Sequence, residues 1–219
     1  MAASGEGDTK LSKSQAALAG ELRERMADSL LPGEAAFSAG RLADAAGFLF
    51  DAARVRDDQA PSIVLLTAPG SHFMRLAVVN DDMPFLVDSV AAAIAAEGLT
   101  IDQLVHPIVP VERDSAGRLT AIPEDGNRRE SMIYVEMART DGKDRRKLEK
   151  ALATTLADVR AAVADWPKMT ERMSVDADRV DDPEGAAAGR LALLALSSGV
   201  GAAEVGSGAT SIPIRRMLW

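Results

Sequence analysis

The sequence predicts an α+β fold, an antiparallel sheet with helices on one face, preceded by a helical N-terminal segment. Apolar runs of strand length occupy residues 62–67, 74–79 and 131–138, each flanked by turn-forming Pro, Gly, Asn or Asp. The second and third runs are each followed by a segment whose apolar residues recur every three or four positions, the period of an amphipathic helix. Residues before 61 show helical spacing alone, so helices come first and the alternation of strand and helix comes after.

The elements follow in order. Residues 1–9 are rich in Gly, Ala, Ser and Asp, a composition too polar to order itself. Leu11, Leu18, Leu22, Met26 and Leu30 mark a first helix, and Pro32-Gly33 breaks it. A second helix is expected over residues 34–56, with Phe37, Leu42, Ala45, Leu49 and Ala52 on one side. Asp57, Asp58 and Pro61 end it. A strand over 62–67 turns at Pro69-Gly70 into a second over 74–79, dense enough in apolar residues to be covered on both faces. Asn80-Asp81-Asp82 marks the end of that strand. Pro84 is expected in the first turn of the next helix, where its missing N–H does no harm, with Phe85, Leu86, Val90, Ala93, Ile94 and Ala96 as the apolar face. Gly98 stops it.

Residues 101–112 read as a long strand bent at Pro107 and Pro110. Proline cannot donate to a ladder, which sends this strand to a sheet edge or gives it a bulge. Asp114-Ser115-Ala116-Gly117 signals a hairpin turn with Gly117 left-handed, returning through 119–122. After the strand at 131–138, Leu148, Leu152, Leu156, Val159, Val163 and Trp166 define a long helix over 143–166, closed by Pro167. Packing both long helices on one face of an antiparallel sheet makes a ferredoxin-like sandwich. Beyond it, Asp176, Asp178, Asp181, Asp182 and Glu184 form an acidic linker. The Ala-, Gly- and Ser-rich stretch 186–219 has room for one short helix, near 186–196. The expected organisation is therefore 1–60, 61–173 and 174–219.

Composition narrows function. The net charge of −8 repels phosphate backbones and anionic lipid, so neither nucleic acid nor a membrane surface is expected as a partner. No apolar stretch approaches the ~18 to 20 residues of a membrane span. The start of the chain lacks a basic-then-apolar signal, so a cytoplasmic protein is expected. The absence of Cys removes disulfides, thiolate metal sites and Cys nucleophiles. His72 and His106 are the only histidines and have no metal-ligand spacing. Asp176-x-Asp178 fails the calcium-loop pattern because Asp181 stands where that loop needs Gly. Gly199-Val200-Gly201 lacks both the last glycine and the strand–turn–helix context of a dinucleotide fingerprint. No nucleophile–base set or acid/base pair is visible, and no metal is expected.

Val78-Val79-Asn80-Asp81-Asp82-Met83-Pro84-Phe85-Leu86-Val87-Asp88-Ser89-Val90 resembles a signature near the start of the large bacterial NAD-specific glutamate dehydrogenases. The likeness continues in order through Gly98-Leu99-Thr100-Ile101, His106-Pro107, Arg113-Asp114 with Gly117, Glu130-Ser131, the helix 156–163, and Asp165-Trp166 before Met169. It covers residues 63–173, about half the chain. One short motif would say little; motifs in this order and spacing say much. The resemblance implies an ACT-type regulatory domain lying ahead of the catalytic part. It also implies further ACT-like and catalytic domains as partners, an amino-acid effector, and NAD bound elsewhere, with no cofactor in this chain; the long apolar helix and the edge strand are expected to pack on those domains or on a second copy. The likeness fails after about residue 185, so a truncated, frameshifted or shortened product is expected.

In ACT domains generally the first strand–helix loop carries Asp-x-Pro-Gly, and helix N-terminal N–H groups can receive a carboxylate there. Here the run is Asp82-Met83-Pro84-Phe85, with Phe85 where glycine would stand. A side chain there hinders a ligand's approach to the backbone. The expected ligand or interface residues are Asn80, Asp81, Asp82, Met83, Phe85 and His106. Asp81 and Asp82 also read as helix-capping carboxylates, and His106 as a packed residue. Lys143, Arg145, Arg146, Lys147 and Lys150 form a basic cluster at the long helix's start, read as a solvated face or a contact for an acidic neighbour.

Overall fold

A computed structural model describes residues 11–30, 37–58, 60–67 and 70–177. The chain divides into two compact units, Met1–Val163 and Ala164–Trp219. The first holds the N-terminal helices α1 (Lys13–Asp28) and α2 (Ala39–Ala53) and strands β1 (Ser62–Leu66) and β2 (Phe73–Asp81). Helix α3 (Leu86–Ala96) and strands β3 (Ile101–Val105), β4 (Ile108–Pro110), β5 (Glu112–Arg113), β6 (Leu119–Ala121) and β7 (Arg129–Ala138) follow. Helix α4 (Gly142–Ala177) begins in the first unit.

The main sheet runs β1-β2-β7-β3, with β4 also on β7, and every pairing is antiparallel. The chain leaves β2 through α3 to reach β3 and β4, and leaves β7 through α4. This is the α+β, ferredoxin-like arrangement read from the sequence. Its edge beside β2 is held by β1, a strand that comes before the β–α–β–β–α run rather than after it. The bend at Pro107 is also as read, separating β3 from β4 on an outer position of the sheet.

Strand alternation sends successive side chains to opposite faces, and both faces are covered. Met74, Leu76 and Val78 of β2, with Ile133, Val135 and Met137 of β7, pack against Leu86, Val90 and Ile94 of α3 and Leu148, Leu152 and Leu156 of α4. Each such leucine, fully buried, contributes about 1.5–3 kcal/mol. Ala77 and Val79, with Met132 and Tyr134, pack instead against Leu18, Leu22 and Met26 of α1 and Phe48, Leu49 and Phe50 of α2. The N-terminal helices therefore share a core with the sheet.

Local chemistry sets the helix starts. Ser12 and Gln15 make a reciprocal capping box on α1, and Ser38 accepts from the Arg41 N–H to cap α2. That cap starts α2 at Ala39, later than the apolar pattern suggested; the expected start at residue 34 lies outside the described residues. Three expectations are corrected. Strand β2 continues through Asn80 and Asp81, because both pair with β7 at Ser131 and Glu130. Pro84 lies in the turn before α3, not in its first helical turn, and Phe85 is the N-cap. Pro167 sits inside α4 rather than closing it. The acidic linker from Asp178 onward and the short helix near 186–196 lie outside the described residues.

Candidate functional site

Strand β2 ends where the apolar core under α3 and α4 gives way to polar groups. Asn80 follows Met74, Leu76 and Val78 in parity, so it lies on the α3/α4 face, and it is 1% exposed. Its neighbour across the ladder is Ser131, also buried. Ser131 Oγ donates to Asp82 Oδ1 at 2.9 Å and lies 3.1 Å from His106 Nε2. From α4, Arg160 Nη2 donates to Asn80 Oδ1 at 2.6 Å, and Arg160 Nη1 lies 3.2 Å from Asp81 Oδ2. The Asn80 amide nitrogen is buried and has no hydrogen-bond partner among the described residues. A buried donor left unmade costs about 1–3 kcal/mol, so this N–H₂ invites an acceptor.

His106 and Ser131 touch, but the serine gives its hydrogen to Asp82 and not to the imidazole. A hydroxyl held in that way is not activated as a nucleophile, which needs the base to take its proton. Burial depresses the His106 pKa, with Asp82 opposing the shift, so the neutral ring is favoured.

Asp81 points the other way. Its side chain meets Arg56, whose guanidinium is 1% exposed. Arg56 also donates from Nη2 to Glu130 Oε1 at 2.9 Å, and Arg113 donates to the same carboxylate from Nε at 2.8 Å and from Nη2 at 2.7 Å. Arg128 Nη2 adds a bond to Glu130 at 3.2 Å and one to Asp58 at 2.6 Å. Burial alone would raise the Glu130 pKa, but hydrogen bonds and charge from Arg113 and Arg56 outweigh it, and the carboxyl sits below its usual range. Asp81 thus joins this buried cluster on one face to Arg160 on the other.

The turn itself has an unusual backbone. Phe85 has φ 70°, in the left-handed region, and is the only non-glycine with positive φ among the described residues. Its side chain is 58% exposed. A bulky residue there is an outlier held in place by its surroundings. No side-chain hydrogen bond from Phe85 caps α3. Asp81 and Asp82, read as capping carboxylates, are engaged instead by Arg56, Arg160 and Ser131.

The family model for the glutamate dehydrogenase ACT1 domain matches residues 35–152, which carry this turn and all seven strands. The chain belongs to the glutamate dehydrogenase ACT1 family. Among similar proteins, the NAD-specific glutamate dehydrogenase of Halomonas elongata is 36% identical over 125 residues, covering 52% of this chain and 8% of that protein. The enzyme of that name from Pseudomonas aeruginosa is 36% identical over 105 residues, covering 45% of this chain and 6% of that protein. The chain therefore spans less than a tenth of the length of either relative. No solved structure matches.

Of the residues singled out from the sequence of this ACT1 chain, Asn80, Asp82 and His106 meet around Ser131. Asp81 faces the opposite side of the sheet but shares Arg160 with Asn80. Met83 packs at the margin of the α3/α4 core, and Phe85 is exposed beside it. Sequence reasoning missed Arg160 and Arg56 as partners of this turn, and Ser131 as its hub. Glu130-Ser131 stood out as a motif without a role; register with Asp81 and Asn80 supplies one. Among the described residues no cluster of His or carboxylates could hold a metal, and no helix is long and apolar enough to cross a membrane.

Proposed function

We propose that this chain is a regulatory and assembly region of a large NAD-specific glutamate dehydrogenase. In the parent reaction glutamate is oxidatively deaminated to 2-oxoglutarate. On this reading NAD and glutamate are handled by other segments, and the chain acts in the cytoplasm on catalytic and further ACT-like domains, or on a second copy of itself. The observation that carries the proposal is the ACT1 match across residues 35–152. The small share of each relative that this segment covers supports it, since so small a module sits beside much other machinery. The test is to delete the corresponding segment from the Pseudomonas aeruginosa enzyme, and separately to replace it with residues 37–163 of this chain. Deletion should change subunit assembly or the response of glutamate oxidation to effectors, and the graft should restore it. A deletion that leaves assembly, turnover and effector response unchanged overturns the proposal. The purified chain alone should not reduce NAD with glutamate.

A second reading is a free-standing amino-acid sensor. It is favoured by the orphaned Asn80 amide beside Arg160, a donor set suited to a carboxylate. Calorimetric titration with glutamate and aspartate decides it: absence of heat at millimolar ligand removes this reading.

A further inference from the structure

A second unsatisfied group lies on the opposite face of the sheet. Arg75 Nε is buried and has no hydrogen-bond partner among the described residues. Arg75 stands on β2 directly across from Glu136 of β7, yet Glu136 is already occupied. Its Oε1 accepts from Tyr134 Oη at 2.7 Å, and its Oε2 pairs with Arg41 of α2. Arg41 and Tyr134 therefore occupy this buried carboxylate, and Arg75 Nε is left without a bond.

The surroundings are open and apolar. Leu66, paired with Arg75 across β1 and β2, is 45% exposed, and the Arg41 side chain is 50% exposed. The Arg75 guanidinium lies 5.3 Å from the Phe73 ring centre, and that of Arg41 lies 5.3 Å from the Phe37 ring centre. A half-covered cation with an unmade N–H and an aromatic ring beside it, standing in register with the glutamate that a second ring-stacked cation pairs, is matched by an anion that carries an apolar body. A water molecule could take the N–H, but it would leave the extra positive charge unbalanced.

We propose that Arg75 and Arg41, flanked by Phe37, Phe73 and Leu66, form a binding site for the carboxylate of a small apolar organic acid. A carboxylate suits the planar fork of a guanidinium better than a single-point anion does. The apolar walls select against a bare oxyanion. The site lies on the α1/α2 face and shares no residue with the β2–α3 turn, so its failure would leave the function proposed above untouched.

The test is nuclear magnetic resonance titration of the full chain with benzoate, with benzamide as the uncharged control and inorganic phosphate as the bare oxyanion. Benzoate should give saturable shifts at Arg75, Phe37 and Leu66, and benzamide should give none. Arg75→Gln should weaken benzoate binding by about tenfold or more, the scale of one charge-assisted bond. Arg41→Gln, at a half-exposed side chain, makes the same test should the first variant fold poorly. Glu136→Gln removes the competing charge and should tighten binding, an effect that a merely structural role for the arginines would not produce. Absence of saturable shifts, equal binding of benzamide, or unchanged affinity in both arginine variants overturns the site. Phosphate binding tighter than benzoate overturns the assignment to an apolar carboxylate.

Discussion

Arg56 and Glu130 lie 74 positions apart and meet inside the protein, their side chains 1% and 0% exposed. Arg56 follows α2, and Glu130 opens β7, so this contact ties the N-terminal helices to the centre of the sheet. Removing Arg56 takes its bonds away from Glu130 and from Asp81, but Arg113 and Arg128 still hold the Glu130 carboxylate, so the loss stays below the about 3–5 kcal/mol of a fully stranded charge. Arg56→Met should still lower the urea midpoint clearly, as read by circular dichroism. Arg118→Met, at a side chain 70% exposed whose ion pair with Asp114 spans 3.8 Å, should change it little.

Acid should act in separable steps. The Glu130 pKa is lowered from an ordinary 4.5. Its contribution to stability is complete above 4.5 and fades as pH falls through the lower folded value, because the unfolded chain takes up the proton first. The His106 pKa is lowered from 6.5 by burial. Just below 6.5 the unfolded state again binds more protons, so stability falls with pH there too, but in a higher window. His106→Gln should flatten the upper step and leave the lower one. Urea unfolding carried from pH 7 to well below pH 4.5 checks both.

Gly117 and Gly98 share a φ of +73° but not a consequence. A Cβ on Gly117 would stand 2.2 Å from the carbonyl oxygen of Arg56, whose N–H bonds back to the Gly117 oxygen at 3.0 Å. A Cβ on Gly98 would meet open space. Gly98→Ala should cost only the left-handed penalty of about 1–2 kcal/mol. Gly117→Ala adds a backbone clash and should cost more, detaching the β5–β6 hairpin from the end of α2. Thermal unfolding of the pair orders them, and equal losses would refute the clash.

Much of this fold was written locally. Gly98 and Gly117 announced their left-handed turns because few other residues tolerate them, and Pro107 marked the bend because proline removes a ladder donor. The leucines of α4 revealed its buried face by spacing alone. The Arg56–Glu130–Arg113 cluster was illegible because its members come from separate elements and have no shared period. At the turn, Asn80, Asp81 and Asp82 read as one polar run ending a strand. Pairing with β7 carried the strand further and sent adjacent side chains to opposite faces, something composition cannot reveal. Helix α4 passed Pro167 because a proline's local cost need not end a helix that its neighbours sustain.

That last case is testable. Proline lacks the N–H that would bond the carbonyl four residues earlier, and its ring crowds that carbonyl. Pro167→Ala should remove a local cost of about 3 kcal/mol. Amide exchange at residues 168–172 should slow, and helical circular dichroism should rise or hold. Faster exchange would mean that the proline fixes a bend the helix requires.

Phe85 offers the sharpest test of the turn. Its left-handed backbone costs a non-glycine residue about 1–2 kcal/mol, and its ring is 58% exposed and so recovers little by burial. Glycine would remove that cost while adding about 0.5–1 kcal/mol of unfolded-state freedom. Phe85→Gly should therefore stabilise the fold slightly, by at most about 1.5 kcal/mol on those two figures. Phe85→Ala keeps the strained φ and should leave stability nearly unchanged. The ring would then be dispensable for folding, and its exposed place beside α3 would point to a contact made outside this chain. A clear loss of stability in both variants would show instead that the ring's packing holds the turn.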